Sequence, residues 1–195
     1  SQEYFGRLAQ KLIWALQTRT REGVCYQIDA RLRPSGNQGM LVSSLTALRR
    51  HHRQLAMVWE RQALLRARPV AGSPTLAESF RTLRLEVLQQ PFETDPAAEI
   101  RRIRQRVEHE LAQETSVRHD FKTGRGGLMD VEYVVQYLQL RHGGAHPALF
   151  SVDGIAAQIQ RLADLRLLPP EDARVLGEAW TFLQRLSSRL RIVEN

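Results

Sequence analysis

Three charged side chains alternate along residues 26–36, whose sequence is YQIDARLRPSG. In an extended chain, alternate side chains share a face, so Asp29, Arg31 and Arg33 are predicted to point the same way. A carboxylate can ligate a divalent metal ion, and guanidinium groups match the oxygens of a phosphate. Two interpretations follow: these side chains form a site for a metal and a phosphate, or they form a solvated surface ladder.

The element that would carry these residues is a strand, predicted over residues 24–33 and ended by Pro34. An amphipathic helix at residues 2–16 precedes it and would lie against a sheet. A polar connector at residues 18–23 joins the two, and residues 40–42 offer a second short strand. Because so few strands do not make a sheet, we expect the chain to begin inside a domain whose earlier strands are absent.

The rest of the chain is predicted to be helical, with breaks at proline and glycine. Ser44 is the expected N-cap of the first of these helices, and Ser151 or Asp153 that of the fifth. The change from mixed α/β to all-helical character falls between Gly72 and Pro96. The predicted helices share apolar residues at helical spacing and lie at residues 45–67, 76–88, 100–111, 128–141, 154–165 and 170–195.

The composition is that of a globular chain with a core. Of 195 residues, 43% are hydrophobic, yet no apolar run approaches the roughly 18 residues that a membrane span needs. The single cysteine, Cys25, excludes an internal disulfide and is expected to be a small core residue. We therefore expect a soluble protein in the cytoplasm with no membrane partner.

Positive charge is the other feature of the composition, with a formal net charge of +7. Such a charge by itself favours an acidic partner such as nucleic acid. However, the arginines are spread along successive helices and no basic block is interleaved with aromatics, so no nucleic-acid partner is predicted. One local exception is a basic stripe, expected on the exposed sides of its helix, formed by Arg101, Arg102, Arg104 and Arg106.

Three segments in the same order resemble one known family. They read YQIDARLRPSGNQG at residues 26–39, WERQALLRARPVAG at 59–72 and FKTGRGGLMDVEYVVQYLQL at 121–140. Together they resemble the bacterial glutamine synthetase adenylyltransferase/adenylyl-removing enzyme family, a branch of the nucleotidyltransferase superfamily. The resemblance implies transfer of AMP from ATP to a tyrosine of glutamine synthetase, with Mg²⁺ as cofactor. It also implies the PII signal protein as a partner of the full-length enzyme.

The resemblance gives the alternating charges a role. Asp29 matches the third carboxylate of the superfamily's metal site. Arg31 and Arg33 are then catalytic cations beside it that also contact the nucleotide, or they orient the aspartate. The superfamily's first two carboxylates belong to a G-S-x-x-D-x-D motif, which these 195 residues lack. We therefore expect the fragment alone to be inactive.

Three more basic residues are candidate nucleotide contacts. Arg66 and Arg68 match family positions, where phosphate contact and structural ion pairing are both open interpretations. Lys122 precedes the glycines of FKTGRGG, and a lysine beside a glycine-rich loop at a helix start can bind an anion. The spacing is not that of a Walker loop, so a structural role is the alternative.

Three nearby carboxylates are predicted to be structural. Glu60 could pair with an arginine such as Arg31 or Arg33. Asp130 and Glu132 lie two apart, which places them on different faces of a helix. They are therefore expected to cap that helix and to form ion pairs with the basic helix at residues 101–106.

The fold implied by the resemblance is mostly α. Residues 1–90 would be the C-terminal part of an α/β nucleotidyltransferase domain, and residues 91–195 a helical bundle domain. The family contains an adenylylating unit and an opposing unit that removes AMP by phosphorolysis, and the segments resemble the adenylylating unit more. A non-catalytic basic helical module that binds an acidic partner is the remaining alternative.

Overall fold

The computed structural model describes residues 2–112, 114–151 and 154–193 and is mostly helical, as expected. Two short strands, β1 (Arg19–Thr20) and β2 (Gly23–Val24), pair antiparallel. No helix of the described residues is long and apolar enough to cross a bilayer. The helices, numbered in chain order, are α1 (Gln2–Gln17), α2 (Leu45–Gln54), α3 (Val58–Leu64), α4 (Pro74–Leu88), α5 (Ala97–Leu111), α6 (Leu128–His142), α7 (Ile155–Asp164) and α8 (Pro170–Val193).

The chain divides into two compact units. Unit 1 consists of Ser1–Ala63 and Pro69–Val87, and unit 2 of Leu64–Arg68 and Leu88–Asn195. Unit 1 therefore contains both strands, α1, α2 and nearly all of α3 and α4. Unit 2 contains α5 to α8 and the short segment that follows α3.

Capping explains where several helices begin and end. The Ser44 side chain accepts a hydrogen bond from the backbone N–H of Ala47 at 3.1 Å, so the predicted cap of α2 is confirmed. At the start of α8, Pro170 is followed by Glu171 and Asp172, whose charges favour the positive end of the helix dipole.

The strand predicted over residues 24–33 is wrong for nearly all of its length. Only Gly23–Val24 is paired, and its partner lies in the predicted connector. Beyond Val24 the chain runs as an irregular loop to a single 3₁₀ turn at Gly36–Gln38, and residues 40–42 are not a strand either. A ladder needs a neighbouring strand. Among the described residues none lies beside this loop, and Cys25 is exposed rather than part of a core.

Unit 2 has a compact apolar core where α6, α7 and α8 meet. Trp180 and other half-buried residues of α8 pack against it, and α5 contacts α6. The C-terminal end of α6 lies close to a second 3₁₀ turn, Pro147–Phe150, so that a Cβ on Gly143 would stand 2.2 Å from the ring of the buried Phe150. The core residues are buried aliphatic side chains: Val131, Val135, Leu149, Ile159, Leu162 and Leu168.

The predicted caps of α7 are not observed. Gly154 occupies the N-cap position and gives no side-chain hydrogen bond, while Asp153 lies outside the described residues. The Ser151 hydroxyl instead donates to the carbonyl oxygen of Ala148 at 2.9 Å. Ser151 therefore closes the preceding 3₁₀ turn rather than starting the helix.

Candidate functional site

Asp29 and Arg31 form a close ion pair in the loop of unit 1. Arg31 Nη2 donates to Asp29 Oδ2 at 2.6 Å, and Arg31 Nε lies 2.9 Å and 3.0 Å from the two carboxylate oxygens. The backbone N–H of Arg31 also donates to Oδ1 at 2.9 Å. Both side chains are exposed, with relative accessibilities of 71% for Arg31 and 54% for Asp29. The two predicted neighbours therefore do meet, and on an open surface.

This pairing favours the ionised form of the Asp29 carboxyl. The side-chain hydrogen bonds from Arg31, followed by the backbone hydrogen bond, lower the pKa of Asp29 to about 2. Reciprocally, Asp29 raises the pKa of Arg31. An ionised, accessible carboxylate can act as one oxygen ligand of a hard cation. The described residues contain no group of three or more His, Cys, Asp or Glu side chains placed to hold a metal ion.

Arg33 is turned towards its own loop. Its guanidinium donates to the carbonyl oxygens of Ala30 and Gly39, the second through Nε at 3.2 Å. The loop between them is tight: Ser35 has a φ of 61°, and a Cβ on Gly39 would stand 1.8 Å from the Pro34 carbonyl oxygen. Arg33 therefore stabilises the turn that follows the ion pair, through bonds to backbone oxygens.

Glu60, also in unit 1, is buried and has partners other than the predicted arginine. His51 Nε2 lies 2.6 Å from Glu60 Oε1, and the backbone N–H of Met57 donates to Oε2 at 2.9 Å. The expected pairing with an arginine of residues 26–36 is wrong, because both carboxylate oxygens are used in joining α2 to the start of α3. His52 beside it is buried, and burial lowers its pKa.

In unit 2, Arg104 joins α5 to the start of α6. Its Nε donates to Asp130 Oδ1 at 2.6 Å, and its Nη2 donates to the carbonyl oxygen of Gly124 at 2.8 Å. The other Asp130 oxygen accepts from the backbone N–H of Gly126 at 2.6 Å. The predicted ion pair between Asp130 and the basic helix is confirmed. The exposed position predicted for Arg104 is wrong, since its side chain is only 8% accessible.

The loop that carries Lys122 is held by carboxylates. Asp120 Oδ1 accepts from the backbone N–H groups of Lys122 at 2.9 Å and Thr123 at 2.8 Å. Glu114 accepts from the N–H of Asp120 at 3.0 Å and of Arg125 at 3.3 Å. Burial alone would raise the pKa of Asp120, but the hydrogen bonds from Thr123 and Lys122 outweigh it and lower that pKa. Lys122 itself is exposed on this ordered loop.

A cleft of about 380 Å³ lies in unit 2 beside α6, α7 and α8. Arg66 Nη1 donates to Glu132 Oε2 at 3.1 Å at this cleft. Glu132 is thus paired with Arg66, and its predicted pairing with residues 101–106 is wrong. Polar and aromatic side chains line the cleft, among them Arg66, Arg68, Glu132, Gln136, Gln158 and Trp180.

The six predicted site residues therefore separate into two groups. Asp29, Arg31 and Arg33 share one loop of unit 1. The others are in unit 2, where Arg66 and Arg68 line the cleft and Lys122 lies on the glycine loop.

The burial of Arg104 and Gln158, two of the buried polar residues of unit 2, was missed from the sequence, although helical spacing marks both. Arg104 follows Ile100 by four residues, and Gln158 follows Ile155 by three, so each falls on the apolar face of its helix. A polar side chain on such a face is buried and must find partners there. That signal was available in the sequence.

Two family models match the chain in succession. Residues 1–83 match a model described as glutamate-ammonia ligase adenylyltransferase. Residues 97–195 match a model described as GlnD PII-uridylyltransferase. The second match covers about half of the chain, and the two fall in the order in which the chain runs.

Curated relatives match nearly the whole chain and carry one description, bifunctional glutamine synthetase adenylyltransferase/adenylyl-removing enzyme. The protein of Nitrosococcus oceani is 38% identical over 192 residues, which is 97% of this chain and 20% of that protein. That of Thioalkalivibrio sulfidiphilus is 38% identical over 194 residues, 99% of this chain and 20% of that protein. That of Pseudomonas aeruginosa is 37% identical over 203 residues, 97% of this chain and 21% of that protein. The chain therefore spans about a fifth of the length of the relatives it matches.

Proposed function

Since the chain belongs to the glutamine synthetase adenylyltransferase/adenylyl-removing enzyme family, we propose that it is part of an enzyme that transfers AMP from ATP to a tyrosine of glutamine synthetase. The observation that carries this proposal is the state of Asp29. It lies exposed beside Arg31 at the position that matches the family's third metal-binding carboxylate, and the hydrogen bonds from Arg31 lower its pKa to about 2, which favours the ionised form.

In the proposed site, Asp29 is one ligand of Mg²⁺. When bound, Mg²⁺ would neutralise charge on the triphosphate of ATP. One carboxylate is too few for such a site, so the two remaining carboxylates come from the G-S-x-x-D-x-D motif in another part of the full-length protein. The fragment alone is therefore expected to be inactive.

The arginines of unit 1 have different parts in this proposal. Arg31 holds the Asp29 carboxylate and offers its exposed guanidinium edge to a phosphate oxygen. Arg33 holds the turn through Ala30 and Gly39, so its contribution to the reaction is to position the two residues before it.

The basic residues of unit 2 are proposed as further nucleotide contacts. Arg66 and Lys122 are exposed, and Arg68 lies at the mouth of a cleft. Guanidinium and ammonium groups of this kind bind phosphate oxygens when they are accessible. The ion pair of Arg66 with Glu132 is the competing structural role for that residue.

The domain organisation follows the same proposal. We infer that residues 1–90 are the C-terminal part of a nucleotidyltransferase domain and that residues 91–195 are a helical domain, which agrees in order with the two family matches. The apolar side chains of α1 support this, since Phe5, Leu12 and Trp14 are exposed in unit 1. A sheet from the preceding part of the domain would cover them.

The resemblance of the three segments favours the adenylylating unit, with AMP removal by phosphorolysis as the second candidate, because the relatives are described as bifunctional. The proposed setting is the cytoplasm, where the PII signal protein would act on the full-length enzyme. Assaying both AMP incorporation and AMP release with the same protein separates the two candidates.

The test of the proposed function is the Asp29→Asn variant of the full-length protein. Asparagine keeps the shape but removes the charge that a divalent cation needs. AMP incorporation into glutamine synthetase is expected to fall about a thousandfold, with the thermal midpoint unchanged. The result is measured with radiolabelled ATP over a range of Mg²⁺ concentrations.

A matched control comes from the same unit. Glu78 is an exposed carboxylate paired with Arg81 at 2.9 Å, so Glu78→Gln removes a comparable ion pair away from the loop. This control is expected to keep full activity. Full activity in Asp29→Asn would remove Asp29 from the metal site and, with it, the main support for the proposal.

A further inference from the structure

Gln158 on α7 is almost completely buried, with a relative accessibility of 1%, and it lines the cleft of unit 2. Its Nε2 donates to the carbonyl oxygen of Ser151 at 2.9 Å and lies 3.2 Å from the Ser151 hydroxyl. Because a carbonyl can only accept, the orientation of the amide is fixed by this contact. The atom left over is therefore Oε1, an acceptor.

Within the described part of the chain, Gln158 Oε1 has no hydrogen-bond donor. Buried amide oxygens in folded proteins nearly always have a partner, because an unpaired one loses its hydration without compensation. The buried acceptor therefore points to a donor that the chain itself does not supply. Its place on the wall of a cleft says where that donor would come from.

The charges around the cleft indicate what else a ligand would carry. Arg66 is paired with Glu132, so these two charges offset each other. Arg68 lines the same cleft, and no carboxylate of the described residues pairs with it. The cleft therefore has a formal excess of one positive charge. Trp180 adds an aromatic wall that can cover the carbon skeleton of a ligand.

We propose that this cleft binds a small organic anion that carries an N–H or O–H donor. The anionic group lies at Arg68, and the donor is accepted by Gln158 Oε1. A volume of about 380 Å³ is that of a small-molecule pocket. The anionic group is a carboxylate or a phosphate ester, since a guanidinium binds both. The inference does not depend on the role proposed for Asp29.

Matched pairs of probes test the donor directly in the full-length protein. L-Malate and succinate are both dicarboxylates and differ by one hydroxyl group; glycerol 3-phosphate and propyl phosphate are phosphate esters that differ by two hydroxyl groups. In calorimetric titrations, the hydroxyl-bearing member of at least one pair is expected to bind about tenfold more tightly. The pair that discriminates identifies the anionic group. If neither pair binds, or if both members of each pair bind equally, the inference is wrong.

Variants then assign the selectivity to its residue. Gln158→Leu is expected to reduce the tenfold ratio to about one, and Gln158→Met serves if leucine prevents folding. Arg68→Gln should weaken both members of the discriminating pair equally and leave the ratio intact. A merely structural role for Gln158 would alter both affinities together and not their ratio. An unchanged ratio in the folded Gln158 variants contradicts the proposal.

Two controls separate this result from that of the proposed function. Gln160→Leu lies on the same helix, where the exposed Gln160 side chain donates to Asp164 at 2.8 Å, and it should leave the affinities unchanged. Asp29→Asn should likewise leave probe binding unchanged whether or not it abolishes AMP incorporation. Probe binding and AMP transfer can therefore fail independently.

Discussion

Each unit contains an aspartate–arginine ion pair with a shortest N···O distance of 2.6 Å. The arginine of one pair is exposed, and that of the other is buried. Asp29 and Arg31 lie two residues apart and meet at 2.6 Å on an exposed loop. Arg104 and Asp130 also meet at 2.6 Å, but they lie 26 residues apart and join α5 to the start of α6. The first pair keeps its charges in water. The second has a guanidinium that is only 8% accessible.

The difference in exposure shows which pair can exchange one of its partners for a ligand. An exposed pair contributes little to stability, so a ligand can replace one partner at low cost. Removing Arg104 takes away a buried guanidinium together with its hydrogen bonds to Asp130 and to the carbonyl of Gly124, which is destabilising. The pair in unit 1 is therefore suited to binding, and the pair in unit 2 to holding the glycine loop in place.

The largest expected effect is that of Arg104→Met. It leaves Asp130 Oδ1 and the carbonyl of Gly124 without their guanidinium donor, while Asp130 Oδ2 keeps the N–H of Gly126, and should lower the free energy of unfolding by about 2 kcal/mol. Urea unfolding followed by circular dichroism measures this. Arg102→Met, on the same helix but with a side chain that is 63% accessible in its pair with Glu99, should have no measurable effect. Equal effects of the two variants would contradict the contrast between the regions.

An intermediate effect is expected for Arg33→Gln in unit 1. The variant loses the hydrogen bonds to Ala30 and Gly39, each worth about 1 kcal/mol. Amide hydrogen exchange in residues 30–39 should accelerate about tenfold, while the global unfolding midpoint stays the same. Arg31→Gln is the comparison, and it should leave the exchange of this turn unchanged. If both variants accelerate exchange alike, Arg33 has no special part in holding the turn.

The smallest expected effect on stability is that of the Asp29–Arg31 pair, which is tested through the pKa of Asp29. NMR of its carboxyl carbon should give a pKa of about 2, and Arg31→Gln should raise that pKa towards the ordinary value of about 3.9. Because the folded pKa is lowered, the pair favours folding above the ordinary pKa, and this contribution is lost as pH falls through about 2. An unshifted value in the native protein would show that the pair does not form in solution.

Much of the helical part of the fold could be predicted from the sequence, because apolar spacing and capping residues are local signals. Ser44 and Pro170 mark helix starts that the structure confirms. The strand over residues 24–33 could not be judged locally, since a strand exists only with a neighbour and the hydrogen bonds of this loop go elsewhere. Asp29 and Arg31 are two residues apart, and they meet in this loop although it is not a strand.

The candidate site was predicted in part for a similar reason. A carboxylate two residues from an arginine can be identified from spacing alone, as for Asp29. The partners of Glu60 and Glu132 could not, because His51 and Arg66 reach them only through the tertiary fold. The same holds for the unpaired oxygen of Gln158, which depends on how α7 meets Ser151.

The carboxylate-held loop at residues 114–127 has a consequence for proteolysis. Trypsin cleaves after lysine and arginine, and Lys122 and Arg125 lie exposed on a segment that is neither helix nor strand. A protease must nevertheless draw such a segment into an extended form. That would release the backbone N–H groups from Asp120, Glu114 and Asp130 together. The peptide bonds after these two basic residues should therefore resist digestion at neutral pH.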